Sequence, residues 1–270
     1  MWGLTHKTFH KLGEARQRGE GPRGMRTLEL RSISKHFGAI QALTDVSFAI
    51  EAGEVVGLMG DNGAGKSTLV KIIAGNFPPS AGEILIGGET RQINSPRDAQ
   101  REGIEIVYQD LALCDNLSAA ANVFLGRELV RRVAGLPILD HRAMAAHAAK
   151  LFAQLKSETR PRDLVRRMSG GQRQAVAIAR TRLTDPKIVL MDEPTAAISV
   201  RQVAEVLDQI RRLRDHGIAV VLISHRMPDV FAVSDRIVVL RRGKLVSNKP
   251  AGKSSPQEVT GLITGAIEAA

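Results

Sequence analysis

Residues Gly60-Asp61-Asn62-Gly63-Ala64-Gly65-Lys66-Ser67 fit the pattern G-x-x-x-x-G-K-[ST], and the segments on either side give the pattern its meaning. Ahead of them, Val55–Met59 is short and apolar, the mark of a buried strand. Behind them, Ser67–Ala74 reads as a helix and Gly75 as its stop. Strand, glycine loop and helix in that order form a phosphate cradle. Glycines let backbone N–H groups turn inward, and the helix N-terminus adds partial positive charge. Lys66 is placed to reach the β- and γ-phosphates of a nucleotide, and the Ser67 hydroxyl to hold Mg²⁺.

A chain of 270 residues has room for one large domain or two small ones, and it carries one such loop. It therefore holds one nucleotide-binding unit. The net charge of +10 suggests an acidic partner, whether nucleotide, nucleic acid or lipid headgroup. Aromatics at 3% argue against a base-stacking surface for single strands. One cysteine, Cys114, excludes an internal disulfide and fits a reducing compartment. No run reaches the roughly 18 apolar residues of a membrane helix, so any path across a membrane must come from another chain.

Residues 1–25 are polar and basic, with a Gly-rich run from Arg18 to Gly24, and read as a disordered extension. From Thr27 to Ile50, short strands alternate around Lys35–Ala39. Phe37 suits either an adenine ring or the core. Gly82–Ile86 is a strand running into a Gly-Gly turn, and Ile104–Tyr108 is another, ending at Gln109. Residues 110–168 are Ala-rich and helix-like, with the clearest helical run over Asp140–Lys156. Ser169 is a helix-cap residue ahead of helical spacing at Ala175, Ile178 and Ala179, which makes a second anion site. Two anion sites for one nucleotide make sense if the second serves a nucleotide held by another copy. Ile188–Met191 is a buried strand that delivers Asp192 and Glu193, where a magnesium-binding Asp belongs. Ile218–Ile223 is a further strand leading to Ser224-His225. Ile237–Leu240 and Lys244–Val246 form a closing hairpin, and residues 251–270 a polar tail with a short helix.

In this order the pieces resemble the nucleotide-binding subunit of ATP-binding cassette (ABC) transporters over residues 26–250. The resemblance rests on GDNGAGKS at 60–67, Gln109, MSGGQRQ at 168–174, LMDEP at 190–194 and SHR at 224–226. Segments 122–129, 191–197 and 223–231 are similar to the bacterial monosaccharide-import branch. The resemblance implies an α/β fold: a P-loop NTPase core with a mixed sheet, an N-terminal antiparallel β subdomain and an inserted α-helical subdomain at about 110–168. It implies ATP and Mg²⁺ as cofactors. Phe37 would stack on adenine. Gly60, Asp61, Asn62, Gly63, Ala64, Gly65, Lys66, Ser67 and Thr68 would hold the phosphates, and Ser67, Gln109 and Asp192 would arrange the metal. Glu193 would be the general base, with His225, Gln109 and Lys66 beside it. Ser169, Gly170, Gly171 and Gln172 would close on the ATP of an opposite subunit.

The implied partners are a second copy bound head-to-tail, an integral-membrane permease and an extracytoplasmic solute-binding protein, with no nucleic acid. The implied place is the cytoplasmic face of the membrane, and the implied work is ATP hydrolysis driving uptake of a simple sugar. A soluble ABC ATPase acting on nucleic acid or ribosomes, and an exporter subunit, are the rival readings. Two positions depart from the family pattern. Met168 replaces the usual Leu before SGGQ, a nearly volume-conserving swap. Ser199 stands where Asp is common, from which looser coupling between paired sites is expected, because a hydroxyl forms weaker hydrogen bonds than a carboxylate.

Overall fold

The computed structural model describes residues 26–133, 136–196 and 198–268. The basic extension and the last two residues of the tail lie outside them. Two sheets and a set of helices enclose two apolar clusters.

The first sheet is antiparallel. Strand β1 (Arg26–Phe37) and strand β2 (Ile40–Glu51) form a hairpin, and β1 also pairs with β4 (Ala81–Ile86), which turns back into β5 (Glu89–Arg91). The order is β2-β1-β4-β5. One face alternates Leu28, Leu30, Val46, Phe48 and Ile50 into the core, the period-two pattern of a half-buried sheet. This is the expected N-terminal β subdomain.

The second sheet runs β12-β11-β3-β10-β9-β6. Its members are β3 (Val55–Met59), β6 (Ile104–Val107), β9 (Ile188–Asp192), β10 (Ala219–Ile223), β11 (Arg236–Arg241) and β12 (Lys244–Pro250). All neighbours pair in parallel except β11–β12, which is the predicted hairpin. Both faces of the central strands are covered, so these strands read as unbroken apolar runs. In β3, Val56 and Leu58 face the β subdomain while Val55 and Met59 face the helices. In β10, Val221 and Ile223 take the first side and Val220 and Leu222 the second. Each such side chain contributes about 1.5–3 kcal/mol by burial.

Helix α1 (Lys66–Ile73) puts Leu69, Val70, Ile72 and Ile73 into the first cluster and ends at Gly75, which has a left-handed φ of 78°. Helix α2 (Pro96–Arg101) is capped by Ser95. On the other face lie α3 (Ala119–Val123), α4 (His141–Gln154), α5 (Gly170–Thr181), α6 (Val200–Asp215) and α7 (Met227–Val233). Helix α6 buries Val203, Val206, Leu207, Ile210 and Leu213, one stripe at i, i+3, i+4, i+7 and i+10. Helix α8 (Pro256–Thr264) packs Val259 and Leu262 into the same cluster, so the helical part of the tail is fixed to the body.

One expectation needs revising. The insert at 110–168 is not helical throughout. Between α3 and α4 it makes a hairpin of β7 (Val130–Val133) and β8 (Leu136–Leu139). Val130 and Val133 favour extended backbone, and Pro137 bars a helix there. In addition, Ser199 is the N-cap of α6. Its Oγ accepts the Gln202 N–H at 3.5 Å, and Gln202 Oε1 accepts the Ser199 N–H at 3.1 Å. This reciprocal box satisfies two otherwise orphaned donors. Ser199→Ala should therefore lower stability by about 1 kcal/mol, whereas Ser199→Asp should not, because Asp caps equally well. Chemical denaturation of both variants checks this; equal loss in the two would remove the capping role.

Candidate functional site: a phosphate cradle facing two carboxylates

Sheet register brings the site together. Val107, Met191, Leu222 and Gly57 lie side by side on β6, β9, β10 and β3. The carboxyl ends of these four strands therefore sit at one level. Just beyond them come Gln109, Asp192-Glu193, Ser224-His225 and the loop that starts at Gly60. Ligands of parallel α/β sheets bind at this end.

The loop's shape depends on glycine. Gly60 has a φ of 153°, and a Cβ there would collide with the Leu240 carbonyl oxygen. Gly65 has a φ of 100°, and a Cβ there would come within 2.6 Å of Leu43 Cδ2. Both conformations are ones that L side chains avoid. Lys66 Nζ folds back over the loop and donates to the carbonyl oxygens of Gly60 (2.7 Å) and Asp61 (2.9 Å). Burial pushes its pKa down, and the charges of Glu193, Asp61 and Asp192 oppose that. Asp61 Oδ1 takes the Asn62 N–H at 2.7 Å, and both side chains are exposed at the cradle's rim. Ser67 is exposed at the start of α1, Thr68 is half-buried, and Ala64 is buried beneath the loop.

Opposite the loop, Glu193 has a left-handed φ of 49°. For a non-glycine residue this is a strained conformation of the kind that gathers at functional sites. Its N–H donates to the Ile223 carbonyl at 2.9 Å, which ties the ends of β9 and β10. Its Oε1 accepts the His225 N–H at 3.0 Å, and His225 Nδ1 lies 2.8 Å from Oε2. The His225 ring is otherwise exposed. Beside Glu193, the half-buried Asp192 has its pKa raised, by burial first and by Glu193 second, against the pull of Lys66 and Lys71.

That shift carries a sign. A carboxyl whose folded-state pKa lies above its unfolded value costs stability once pH exceeds the ordinary carboxylate range, and costs nothing in acid, where both states are protonated. Asp192→Asn should thus raise the thermal midpoint of the nucleotide-free chain at neutral pH, with the gain fading as pH falls towards 4. A gain that persists unchanged in acid would exclude this cause.

The donor set Ser67, Gln109 and Asp192 is all oxygen, with one carboxylate, which suits Mg²⁺ bound mainly by phosphates and water. Among the described residues no cluster of three His, Cys, Asp or Glu offers a protein-only metal cage. Phe37 is 46% exposed and meets Phe77 edge-on at 5.3 Å, with Lys35 Nζ 5.3 Å from its ring. Partial exposure at the end of β1 excludes the core reading of Phe37.

Ser169 caps α5. Its Oγ accepts the Gln172 N–H at 3.2 Å, and Gln172 Oε1 accepts the Ser169 N–H at 3.0 Å. Gly170 and Gly171 allow Ile198 and Glu205 to approach: a Cβ on either would come within 2.6 Å of them. The Gln172 side chain is thus engaged within its own helix cap.

Sequence reasoning missed a support behind Glu193. Buried Thr195 donates from Oγ1 to buried Asp229 Oδ2 at 2.6 Å, and Arg226 Nε lies 3.3 Å from the same oxygen. This anchors the segment after Glu193 to α7. The partners are 34 residues apart, so no local pattern announces them.

Comparison with known proteins agrees with this geometry. Residues 43–196 match the family model described as ABC transporter. A xylose/arabinose import ATP-binding protein of Sulfolobus acidocaldarius is 43% identical over 238 residues, 88% of this chain and 93% of that protein. A ribose import ATP-binding protein of Yersinia pestis is 41% identical over 88% of this chain, but the chain spans only 46% of that relative. The fold is similar to the ADP conformation of an ATP-binding cassette of an ABC transporter, with TM-score 0.75 and 23% identity over 89% of this chain and 95% of that one. It is also similar to a dimeric cassette in a post-hydrolysis state bound to ADP and Pi, with TM-score 0.68 and 26% identity over 83% of this chain and 98% of that one. The chain belongs to the ABC transporter family, in its nucleotide-binding, ATP-hydrolysing cassette.

Proposed function

We propose that the chain powers uptake of a simple sugar through a separate membrane permease by hydrolysing ATP. The observation that carries the chemistry is the cradle at 60–67 facing the Glu193–His225 pair across aligned strand ends. Sugar import is supported by relatives named for xylose/arabinose and ribose import. Among the described residues no helix is long and apolar enough to cross a membrane, which fits a subunit seated on the cytoplasmic face of one.

In this reading, backbone N–H groups of Gly63, Gly65 and neighbouring loop residues, with the α1 N-terminus, take the phosphates. Lys66 leaves the Gly60 and Asp61 carbonyls for the β- and γ-phosphates. Phe37 stacks on the adenine. When bound, Mg²⁺ neutralises developing phosphate charge; Ser67, Gln109 and Asp192 would hold it, directly or through water. Glu193 orients a water in line with the γ-phosphorus and accepts its proton as the bond to the ADP oxygen breaks, while His225 holds the γ-phosphate. The remaining catalysis is positioning and charge stabilisation.

The α5 N-terminus at Ser169–Gln172 serves the ATP of the facing copy, so two chains pair head-to-tail. The ribose relatives are about twice as long as this chain, whereas the xylose/arabinose relative has its length. A solute-binding protein outside the membrane completes the machine. The cassette spans about 26–250, with the insert near 110–168 and a tail from 251.

Lys66→Ala should weaken ATP binding by roughly 10- to 100-fold, the scale of one or two lost hydrogen bonds to charge. Calorimetric titration of the purified chain reads this directly. Unchanged affinity would remove Lys66, and with it the cradle, from the account.

A further inference from the structure

Neither the nucleotide site nor the apolar clusters use the hairpin β7–β8. All eight described residues of its two strands are exposed. Six large apolar side chains (Leu129, Val130, Val133, Leu136, Ile138 and Leu139) are exposed between positions 129 and 139. They are half of the twelve such side chains exposed among the described residues, so the concentration calls for a cause.

Charge is as lopsided as hydropathy. Arg131 and Arg132 lie on β7, and Arg142 lies in the first turn of α4. No ion pair is recorded for any of the three among the described residues. The acids nearby are turned to the backbone. Glu128 Oε1 accepts the Gly126 N–H at 2.9 Å, and Asp140 Oδ1 accepts the Ala143 N–H at 2.9 Å as the cap of α4. Across the ribbon Val133 faces Leu136, Val130 faces Leu139, Arg131 faces Ile138 and Arg132 faces Pro137. Aliphatic groups and cations therefore share both faces.

We propose that this hairpin seats on the anionic surface of a lipid bilayer. Its aliphatic side chains enter the headgroup region, and Arg131 and Arg132 meet lipid phosphates. An isolated two-stranded ribbon is marginal in water and gains by burying its side chains. A protein groove would cover one face and would need carboxylates at fixed places. A fluid interface surrounds both faces, and arginine stems can lie along apolar surface with the guanidinium at the phosphates. Strands of four residues reach about 13 Å, enough for the roughly 5–10 Å depth of interfacial insertion. The inference goes beyond the import reading and needs no permease, so its failure would leave that reading standing.

The test is flotation of the full chain with vesicles of phosphatidylglycerol and phosphatidylcholine, against phosphatidylcholine alone. Binding should require the anionic lipid and weaken with salt. Arg131→Gln with Arg132→Gln should lower partitioning by about 25-fold, or about fivefold per arginine. Leu136→Ser with Ile138→Ser should also lower it. Both variants alter exposed positions and should bind ATP as the wild type does. Four results would overturn the proposal: equal binding to neutral vesicles; variants that partition like wild type, which would place the contact elsewhere on the basic chain; absent vesicle binding with variants that fail to assemble with the permease, which would make the partner a protein; or variants that only shift the chain towards monomer, which would make it a second copy.

Discussion

Glu193→Gln is expected to cut ATP hydrolysis by about 10²- to 10⁴-fold, the usual worth of a general base, while ATP binding stays intact. The glutamine is isosteric and keeps a carbonyl oxygen for the His225 N–H that Glu193 Oε1 now accepts. It cannot take a proton from water. The main chain at Glu193 is held independently, by its N–H to Ile223 and by the Thr195–Asp229 bond behind it, so the strained φ should persist. With binding kept and turnover lost, an ATP-bound pair of chains should accumulate. Single-turnover hydrolysis, with size-exclusion chromatography in ATP, reads both effects. Near-normal turnover would remove Glu193 from the role of base.

The second large effect is structural and falls on Asn122, a fully buried side chain in α3. Its Oδ1 accepts the Cys114 N–H at 2.7 Å, and its Nδ2 donates to the carbonyls of Cys114 (3.0 Å) and Ser118 (3.1 Å). Its own carbonyl accepts from Arg180 Nε at 3.1 Å. One amide thus closes the segment that leads from Gln109 into the insert. Asn122→Ala would leave a buried N–H and carbonyls without partners, each costing about 1–3 kcal/mol. A total near 3 kcal/mol should lower the thermal midpoint by roughly 6 °C for a chain of this size. Nucleotide affinity should hold at low temperature, because the cradle belongs to the other apolar cluster. A midpoint within about 2 °C of wild type would show that the segment repacks or that water replaces the amide.

Most of the site could be read from sequence because its signals are local. A buried strand, a glycine loop and a helix lie within twenty residues, and Ser169 and Asp192-Glu193 each sit at the boundary of one element. What binds these pieces to one another was not readable. The level at which β6, β9, β10 and β3 end comes from sheet register. The Asn122 clamp and the Thr195–Asp229 bond join residues whose nearness arises only on folding. Ser199 differs: Ser-x-x-Gln ahead of an amphipathic run is a local capping box, a signal carried entirely by neighbouring residues. The hairpin at 130–139 was masked by an Ala-rich neighbourhood and by Arg131-Arg132, which interrupt the alternation that marks a strand.

Coupling of ATP hydrolysis at this site to solute uptake is open to a reconstitution experiment. The most direct measurement is accumulation of labelled xylose or ribose into proteoliposomes that hold the cognate permease, with the chain and ATP on the cytoplasmic side and the solute-binding protein on the other. The expected result is uptake that needs ATP, a matching rise in hydrolysis when binding protein and sugar are present, and loss of both with Glu193→Gln. Hydrolysis indifferent to permease and sugar but stimulated by nucleic acid, or no hydrolysis in the full assembly, would contradict it.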